Sequence, residues 1–233
     1  KRMRPAIVLL FARSLDEILH GGANADASGS GTGSRSPTSV ERENRLVLNK
    51  ESVDSVFFKK QLKLAEITEM IHVASVLHDD VIDVADTRRG IASVNAAFGN
   101  QVAVLAGDFL LARASMALAR LRNCDVVETL STVIEHLVCG EILQMHHAAR
   151  DSQTSPESLM HAYMRKTYFK TASLIAHSSK ACVMLLENQE ANVSEAQNSS
   201  SSGNALLSID REYYRKLVKG AYSYGEKIGM AFQ

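Results

Sequence analysis

The chain has 233 residues, of which 45% are hydrophobic and 22% charged, the ordinary composition of a globular protein with a sizeable core. Lysine plus arginine and aspartate plus glutamate number 26 each, so no overall field favours nucleic acid or an anionic membrane as a partner. The three cysteines show no CxxC spacing, which argues against a zinc site and a disulfide framework. Asp108 and Arg113 interrupt the longest apolar stretch, so no transmembrane segment is predicted.

Long apolar-periodic segments with only three prolines predict an all-α fold. Ser155 before Pro156 is typical of an N-cap followed by a first-turn proline. No segment shows the period-two alternation of a strand, and no strands are expected. The predicted helices are Pro5–Leu19, Val53–Asp83, Asn100–Leu121, Asp125–His147, Pro156–Leu186 and Asp210–Phe232.

Two low-complexity segments, at about residues 21–50 and 187–208, interrupt this helical pattern. Their Gly/Ser-rich and Asn/Ser-rich compositions cannot bury enough apolar surface to offset ordering entropy. We therefore expect them to be insertions within a single, partial domain that spans 1–233. The chain starts at Lys1 without an initiator methionine, a signal or a transit peptide. We expect a fragment of a longer protein, and the start of the chain predicts no compartment.

The segment His78-Asp79-Asp80-Val81-Ile82-Asp83 carries the clearest chemistry. In a helix, Asp79 and Asp83 project from one face with Cβ atoms roughly 6 Å apart. Two such carboxylates suit Mg²⁺, which completes its shell with water and phosphate oxygens. Arg88 and Arg89 follow closely, and guanidinium groups bind phosphate oxygens bidentately. The segment predicts a Mg²⁺–diphosphate site.

An acidic pair on a helix is more often a solvated face, and the helical phase helps to decide between the two interpretations. One stripe of the predicted helix is small and apolar at its start and acidic at its end, as in the wall of a pocket with a polar mouth. Its members are His72, Ser75, Val76, Asp79, Asp80 and Asp83.

Further motifs extend the pattern along the chain. They are Lys1-Arg2-Met3-Arg4-Pro5, His72, Asp86-Thr87-Arg88-Arg89-Gly90, Leu105-Ala106-Gly107-Asp108-Phe109-Leu110-Leu111-Ala112, Gly140-Glu141-Ile142-Leu143-Gln144, Lys170-Thr171-Ala172-Ser173-Leu174 and Gly229-Met230-Ala231-Phe232-Gln233. Together with the acidic segment, they resemble, in order and spacing, the trans-isoprenyl diphosphate synthases of the polyprenyl synthetase family. The likeness is to the long-chain, solanesyl/decaprenyl type. It implies an isoprenoid synthase-type helical bundle around a central active-site cavity, incomplete at the C-terminus.

The resemblance also implies roles for individual residues. Asp79 and Asp83 would coordinate the Mg²⁺ ions that bridge an allylic diphosphate, with Asp80 as a direct or indirect neighbour of the metal. The same diphosphate would be gripped by Arg88, Lys170 and Thr171, and reached by Gln233 through water or metal. Lys1, Arg4, His72 and Arg89 would form the pocket for isopentenyl diphosphate. Lys166 begins another Lys-Thr pair, but the Ala-Ser-Leu that follows Lys170-Thr171 favours Lys170 as the family match.

The implied reaction is a Mg²⁺-dependent prenyl transfer. Isopentenyl diphosphate condenses head to tail (1'-4) with an allylic diphosphate and yields a trans-polyprenyl diphosphate for isoprenoid or quinone side chains. No side chain is an obvious general base, and in the family the departing diphosphate is thought to take the proton. Family members commonly pair, so a homodimer or a heterodimer with a related subunit is expected. The apolar helix Val102–Ala119 is either an interface or plain core. A mitochondrial location follows from the quinone role alone.

Product length is predicted from the residues that precede the acidic segment. Side chains on a helix lean toward its N-terminus, so Ser75 and Ala74 lie about one turn below Asp79 on the path of a growing chain. In the family, aromatic residues at these positions form the floor of the pocket. Two small residues here predict long products, and Ala74→Phe is predicted to shorten them.

Several alternatives stay open. The family carries a second aspartate-rich motif just after Phe-Gln, and this chain stops at Gln233, so we expect little activity from the chain alone. A non-catalytic regulatory subunit of a heteromeric synthase is the alternative function. A terpene cyclase also uses an aspartate-rich motif on an all-α fold but needs no second diphosphate site, so the set Lys1, Arg4, His72 and Arg89 argues against it. Gly107-Asp108 is expected to make a structural hydrogen bond, and Gln144 either orients an aspartate or has no role.

Overall fold

The computed structural model describes Ala6, Leu9 and residues 56–148, 155–186 and 211–232. Their elements, in chain order, are α1 (Val56–Ile82), β1 (Thr87–Arg88), β2 (Ile91–Ala92), α2 (Val94–Phe98), α3 (Asn100–Arg120), α4 (Cys124–Ala148), α5 (Pro156–Thr167), a π-helical turn (Tyr168–Ala172), α6 (Ser173–Met184) and α7 (Arg211–Ala231). The all-α prediction is confirmed. Both predicted insertions, and the first predicted helix apart from Ala6 and Leu9, lie outside the described residues.

Helix boundaries follow the sequence signals closely. The hydroxyl of Ser155 accepts a hydrogen bond from the backbone N–H of Ser158, with Pro156 in the first turn of α5, so the predicted N-cap is confirmed. The continuous helix predicted to Leu186 is wrong in one respect, because the π-helical turn Tyr168–Ala172 interrupts it. No proline or glycine lies in that turn, so the sequence carries no signal of the interruption.

The expectation that no strands occur is also wrong, although only locally. β1 and β2 form an antiparallel ribbon with Thr87 opposite Ala92. Arg89 and Gly90 turn the chain with positive φ angles of 54° and 78°, as a tight hairpin turn requires. Strands of two residues each are too short to show a period-two pattern.

α6 is the central helix of the described bundle. Every residue from Ser173 to Val183 except Lys180 is buried, and α1, α4 and α7 pack around it. Apolar side chains of α1, α3, α4 and α6 fill most of the core, including Leu64, Ile67, Ile71, Leu118, Val126, Leu130, Val133 and Leu174. Most of the stabilising burial is therefore shared between helices that are distant in sequence.

Glycines set the closeness of α6 and α7. A Cβ added at Gly225 would lie 2.8 Å from the Cα of Ala176, and one added at Gly229 would overlap the Cα of Ala172. These contacts involve backbone atoms, which cannot move aside as a flexible side chain can. α7 consequently packs against α6 and the π-helical turn at a distance that only glycine permits at these positions.

Gly229→Ala is expected to lower the free energy of unfolding by about 1–3 kcal/mol, the usual scale of overpacking. The matched control is Gly220→Ala on the same helix, where an added Cβ meets no atom within 4 Å. That control should raise stability by about 1 kcal/mol through better helix propensity. Urea denaturation followed by circular dichroism measures both, and equal effects would contradict the packing assigned to Gly229.

α3 packs along α1 through one face and exposes the other. Ala103, Gly107 and Ala114 are buried, whereas Leu105 is 68% and Phe109 64% exposed. By length and composition alone, α3 is the one helix among the described residues that qualifies as a membrane span. The charged residues Asp108 and Arg113 therefore do not exclude α3 as a candidate membrane span, contrary to the prediction. Core helices of proteins outside membranes meet the same length and composition criterion.

Candidate active site

Asp79 and Asp83 lie at the C-terminal end of α1 on one face, as predicted. The backbone N–H of Asp83 donates to the carbonyl of Asp79 at 2.8 Å, so the helical spacing persists one residue beyond Ile82. The Asp79 side chain is 21% exposed, while Asp83 is exposed. The pair thus runs from a half-buried position to the surface.

Lys170 enters the same site from the π-helical turn. Its Nζ lies 3.3 Å from Oδ2 of Asp79 and 2.5 Å from Oε1 of Glu141. Lys166 instead lies over the ring of Tyr163, with 5.5 Å between Nζ and the ring centroid. The choice of Lys170 over Lys166 therefore agrees with the geometry.

Gln144 links the lysine to the second aspartate. Its Oε1 accepts a hydrogen bond from Lys170 Nζ at 3.0 Å, and its Nε2 donates to Oδ1 of Asp83 at 3.2 Å. Of the two alternatives that the sequence left open, the structure therefore favours the one in which Gln144 orients an aspartate. The sequence motifs do not single out Glu141, one turn earlier on α4. Its i, i+3 spacing to Gln144 is the signal that places both side chains on one face.

Burial and neighbouring charges together set the pKa values in this cluster. Burial raises the pKa of Glu141 to about 7, an effect that the nearby Asp79 carboxylate increases and Lys170 opposes. Burial alone would lower the pKa of Lys170, but its hydrogen bond to Glu141 and the charge of Asp79 outweigh burial and raise it. Lys170 is therefore a firmly charged ammonium group beside carboxylates.

Asp80 belongs to a different contact. It is buried, and its Oδ1 accepts hydrogen bonds from Nη2 of Arg88 at 2.6 Å and from Nε at 2.7 Å. Asn95 holds the segment that follows α1 in place by donating hydrogen bonds to the backbone carbonyls of Asp80 and Ala85. Asp80 thus holds Arg88 on the hairpin, with the guanidinium half exposed. In this structure Asp80 is therefore paired with Arg88, and its role beside the metal stays a prediction.

His78 fastens the end of α1 to α3. Its Nε2 lies 3.2 Å from the carbonyl oxygen of Val104 and 3.5 Å from Oδ1 of Asp108. A Cβ at Gly107 would overlap the His78 ring, so the glycine makes room for that ring. The Gly107-Asp108 motif therefore has a structural role, as expected.

The product-length candidates lie on different faces of α1. Ser75 is half buried on the stripe of Asp79, and its hydroxyl donates to the carbonyl of His72 at 2.8 Å. Ala74 is fully buried and lies four residues before His78, so it shares the face of α1 that contacts α3. Of this pair, Ser75 lies beneath Asp79 on the side of the candidate site.

The remaining predicted residues are partly described. His72 and Thr171 are half buried, and Arg89 is exposed on the hairpin turn. Lys1, Arg4 and Gln233, predicted to bind the two diphosphates, lie outside the described residues. The structure therefore brings Asp79, Asp83 and Lys170 together through Gln144 and pairs Asp80 with Arg88, and it does not place the residues at either end of the chain.

His136, which is half buried, and His177, which is buried, link α4 and α6. Nδ1 of His136 on α4 is 2.7 Å from the hydroxyl of Ser173, which is 3.3 Å from Nδ1 of His177 on α6. The ring of Tyr222 on α7 meets that of His177 edge-on at 5.2 Å. Burial lowers the pKa of both histidines, so they serve as neutral hydrogen-bonding groups at neutral pH.

The donor set fits a hard divalent cation that keeps most of its shell for other ligands. In the described part of the chain, no group of three or more His, Cys, Asp or Glu side chains is arranged to hold a metal ion. Asp79 and Asp83 offer two carboxylates on one face, which suits Mg²⁺ bound through few protein oxygens together with water and phosphate. Zinc would require a fuller set of protein ligands.

Comparison with known proteins decides the family. The family model described as polyprenyl synthetase matches residues 1–205. The chain belongs to the polyprenyl synthetase family. This membership confirms the resemblance drawn from the motifs, and the isoprenoid synthase-type fold with it.

Two relatives of this polyprenyl synthetase chain are long-chain synthases by name. It is 48% identical over 174 residues to the mitochondrial solanesyl-diphosphate synthase 1 of Oryza sativa subsp. japonica, covering 75% of this chain and 33% of the relative. It is 45% identical over 195 residues to decaprenyl-diphosphate synthase subunit 1 of Schizosaccharomyces pombe, covering 79% and 46%. The chain thus spans less than half the length of these relatives.

A solved structure shares the fold. The polyprenyl synthase from Caulobacter crescentus CB15, complexed with calcium and isoprenyl diphosphate, superposes with a TM-score of 0.64. It is 25% identical to this polyprenyl synthetase chain, covering all of this chain and 50% of the bacterial one.

Proposed function

We propose that this chain contributes the first aspartate-rich motif, and the side of the active site around it, to a Mg²⁺-dependent long-chain trans-polyprenyl diphosphate synthase. The reaction is the head-to-tail (1'-4) condensation of isopentenyl diphosphate with an allylic diphosphate. One observation carries the proposal: Lys170 and the paired carboxylates Asp79 and Asp83 converge on one site from α1 and the π-helical turn. The names of the long-chain relatives support the substrate class.

The residues of the site suit the first step of this chemistry. Breaking the allylic C–O bond leaves a diphosphate whose negative charge grows in the transition state, and fixed positive groups stabilise it. Asp79 and Asp83 would hold Mg²⁺, which supplies Lewis-acid stabilisation of the diphosphate. The Lys170 ammonium and the Arg88 guanidinium, held in place by Asp80, would bind diphosphate oxygens directly, with Thr171 beside Lys170.

The second substrate needs its own basic pocket. We propose that His72 and Arg89, together with Lys1, Arg4 and other groups outside the described residues, bind isopentenyl diphosphate. Gln233 would contact the allylic diphosphate through water or metal. The relatives named as mitochondrial or as decaprenyl synthases support a mitochondrial role in supplying quinone side chains.

Binding and turnover test this function separately. The 233-residue chain should bind an isoprenyl diphosphate in the presence of Mg²⁺, and the affinity should fall strongly on addition of EDTA. Incorporation of radiolabelled isopentenyl diphosphate into extractable polyprenyl products by this chain should be low and should depend on Mg²⁺. Absence of Mg²⁺-dependent diphosphate binding to the folded chain would overturn the proposal.

We further propose that the exposed face of α3 contacts a second prenyl synthase subunit. Its large apolar side chains, including Val102, Leu105, Phe109 and Met116, are 45–68% exposed among the described residues. A contiguous apolar surface of this kind marks an interaction site. The name of the fission-yeast relative, which designates a subunit, supports a partner of the same family rather than a lipid surface.

The double variant Leu105→Glu, Phe109→Glu is expected to convert a dimer into a monomer, because it would bury charges in the interface without partners. Leu159→Glu on α5, where the leucine is also about half exposed, is the control that should leave the dimer intact. Sedimentation velocity measures the mass of each. A monomeric wild-type chain, or a double variant that still dimerises, would contradict this assignment.

A further inference from the structure

Glu141 makes the shortest contact to the Lys170 ammonium. Oε1 of Glu141 is 2.5 Å from Nζ, compared with 3.0 Å for Oε1 of Gln144 and 3.3 Å for Oδ2 of Asp79. Glu141 and Lys170 are similarly shielded, with side chains 16% and 17% exposed. A charge-assisted hydrogen bond in such a setting is stronger than one at the surface.

Residues of α4 contact both the aliphatic stem and the ammonium group of Lys170. A Cβ at Gly140 would lie 2.7 Å from Cγ of Lys170 and 3.3 Å from its backbone nitrogen. The glycine therefore lets the aliphatic stem lie against α4, while Glu141 and Gln144 receive the ammonium group. We call Gly140, Glu141 and Gln144 the lysine seat.

The lysine seat and Asp79 have different roles in the proposed reaction. Asp79 must turn its oxygens to Mg²⁺, which weakens its pairing with Lys170. Glu141 is not a proposed ligand of Mg²⁺, so its contact with Lys170 does not compete with the metal. A lysine side chain is flexible, with four rotatable carbons, so a fixed partner limits the positions that its ammonium group samples.

We propose that Glu141 is a positioning residue that holds the Lys170 ammonium beside Asp79, ready for the leaving diphosphate. This inference rests on the proposed function and deepens it by naming the group that orients the diphosphate-binding lysine. Glu141 acts through Lys170 and does not touch substrate. Only one of its two oxygens is used, since Oε2 has no hydrogen-bond partner among the described residues. An amide in place of the carboxylate can therefore keep part of the contact.

The first test does not depend on the function. Lys170 in the ligand-free chain is acetylated with an N-hydroxysuccinimide ester, and its rate is read by peptide mass spectrometry. Glu141→Ala should raise that rate about tenfold, the scale set by loss of one charge-assisted hydrogen bond. Glu141→Gln should give a smaller rise. Glu135→Gln, an exposed carboxylate on the same helix, should leave the rate unchanged. An unchanged rate in a folded Glu141→Ala chain would overturn the proposal.

The second test is a double-mutant cycle on Mg²⁺-dependent binding of inorganic diphosphate. Glu141→Ala should weaken binding about tenfold in the wild-type background and should have no further effect on top of Lys170→Ala. Independent, additive losses would show that Glu141 acts on the ligand directly, and they would sink the positioning role. If the wild-type chain binds no diphosphate, the proposed function fails, while the acetylation rates still decide the role of Glu141.

Discussion

Asp79→Asn is expected to abolish Mg²⁺-dependent diphosphate binding and to lower prenyl transfer by at least about 100-fold, the scale of losing a group that stabilises developing charge. Asp79 is the proposed metal ligand that also pairs with Lys170. The neutral amide keeps the shape of the side chain but offers one weaker oxygen to Mg²⁺. Isothermal titration with inorganic diphosphate and radiolabel incorporation measure the two effects.

Two controls make this result specific. Asp125→Asn removes an exposed carboxylate at the start of α4, away from the site, and should leave both readouts unchanged. Asp80→Asn should act differently from Asp79→Asn. It should weaken the hold on Arg88 and reduce diphosphate affinity while the Mg²⁺ dependence persists. An Asp79→Asn protein with wild-type binding would remove Asp79 from the metal site.

Ser75→Phe is expected to shorten the polyprenyl products. Ser75 lies one turn below Asp79 on the same stripe of α1 and is half buried, so a phenyl group there would close the path of the growing chain. Ala74→Phe is expected to shorten products as well, but with a loss of stability of about 1–3 kcal/mol from overpacking, because Ala74 is fully buried. Chromatography of radiolabelled products gives the lengths, and thermal denaturation gives the stabilities.

Ser75→Ala is the matched control, since it stays small and should keep long products. The substitutions are made in the 233-residue chain and, in parallel, at the equivalent positions of a complete long-chain relative. Unchanged product lengths with both phenylalanine variants would show that the floor of the pocket lies elsewhere. Shortening by Ala74→Phe alone would place the path of the product on the face of α1 that contacts α3.

Most of the helical architecture could be predicted from local signals. Apolar periodicity located α1, α3, α4 and α7 to within a few residues, and Ser155-Pro156 marked the start of α5. The hairpin at Arg88 and the π-helical turn at Lys170 were missed. Strands of two residues have no period, and a π-helical turn reflects packing against neighbouring helices rather than any local residue preference.

The candidate site, like the fold, could be predicted from the sequence only in part. The spacing of Asp79 and Asp83, and the neighbouring basic residues, pointed to a Mg²⁺–diphosphate site because helical periodicity alone puts the two carboxylates on one face. Spacing could not separate the duties of adjacent aspartates. Asp79 faces Lys170, whereas Asp80 is buried against Arg88, and a step of one residue on a helix turns a side chain by about 100°.

The amino-acid sequence by itself determined the helical class, the family and the acidic stripe, because periodicity and ordered motifs are properties of local chain positions. Only the tertiary structure decided which partner each charged group takes. Lys170 meets Glu141 and Asp79 across 29 and 91 positions of the chain. Such contacts depend on how α1 and α4 pack around α6, and no local pattern encodes that arrangement.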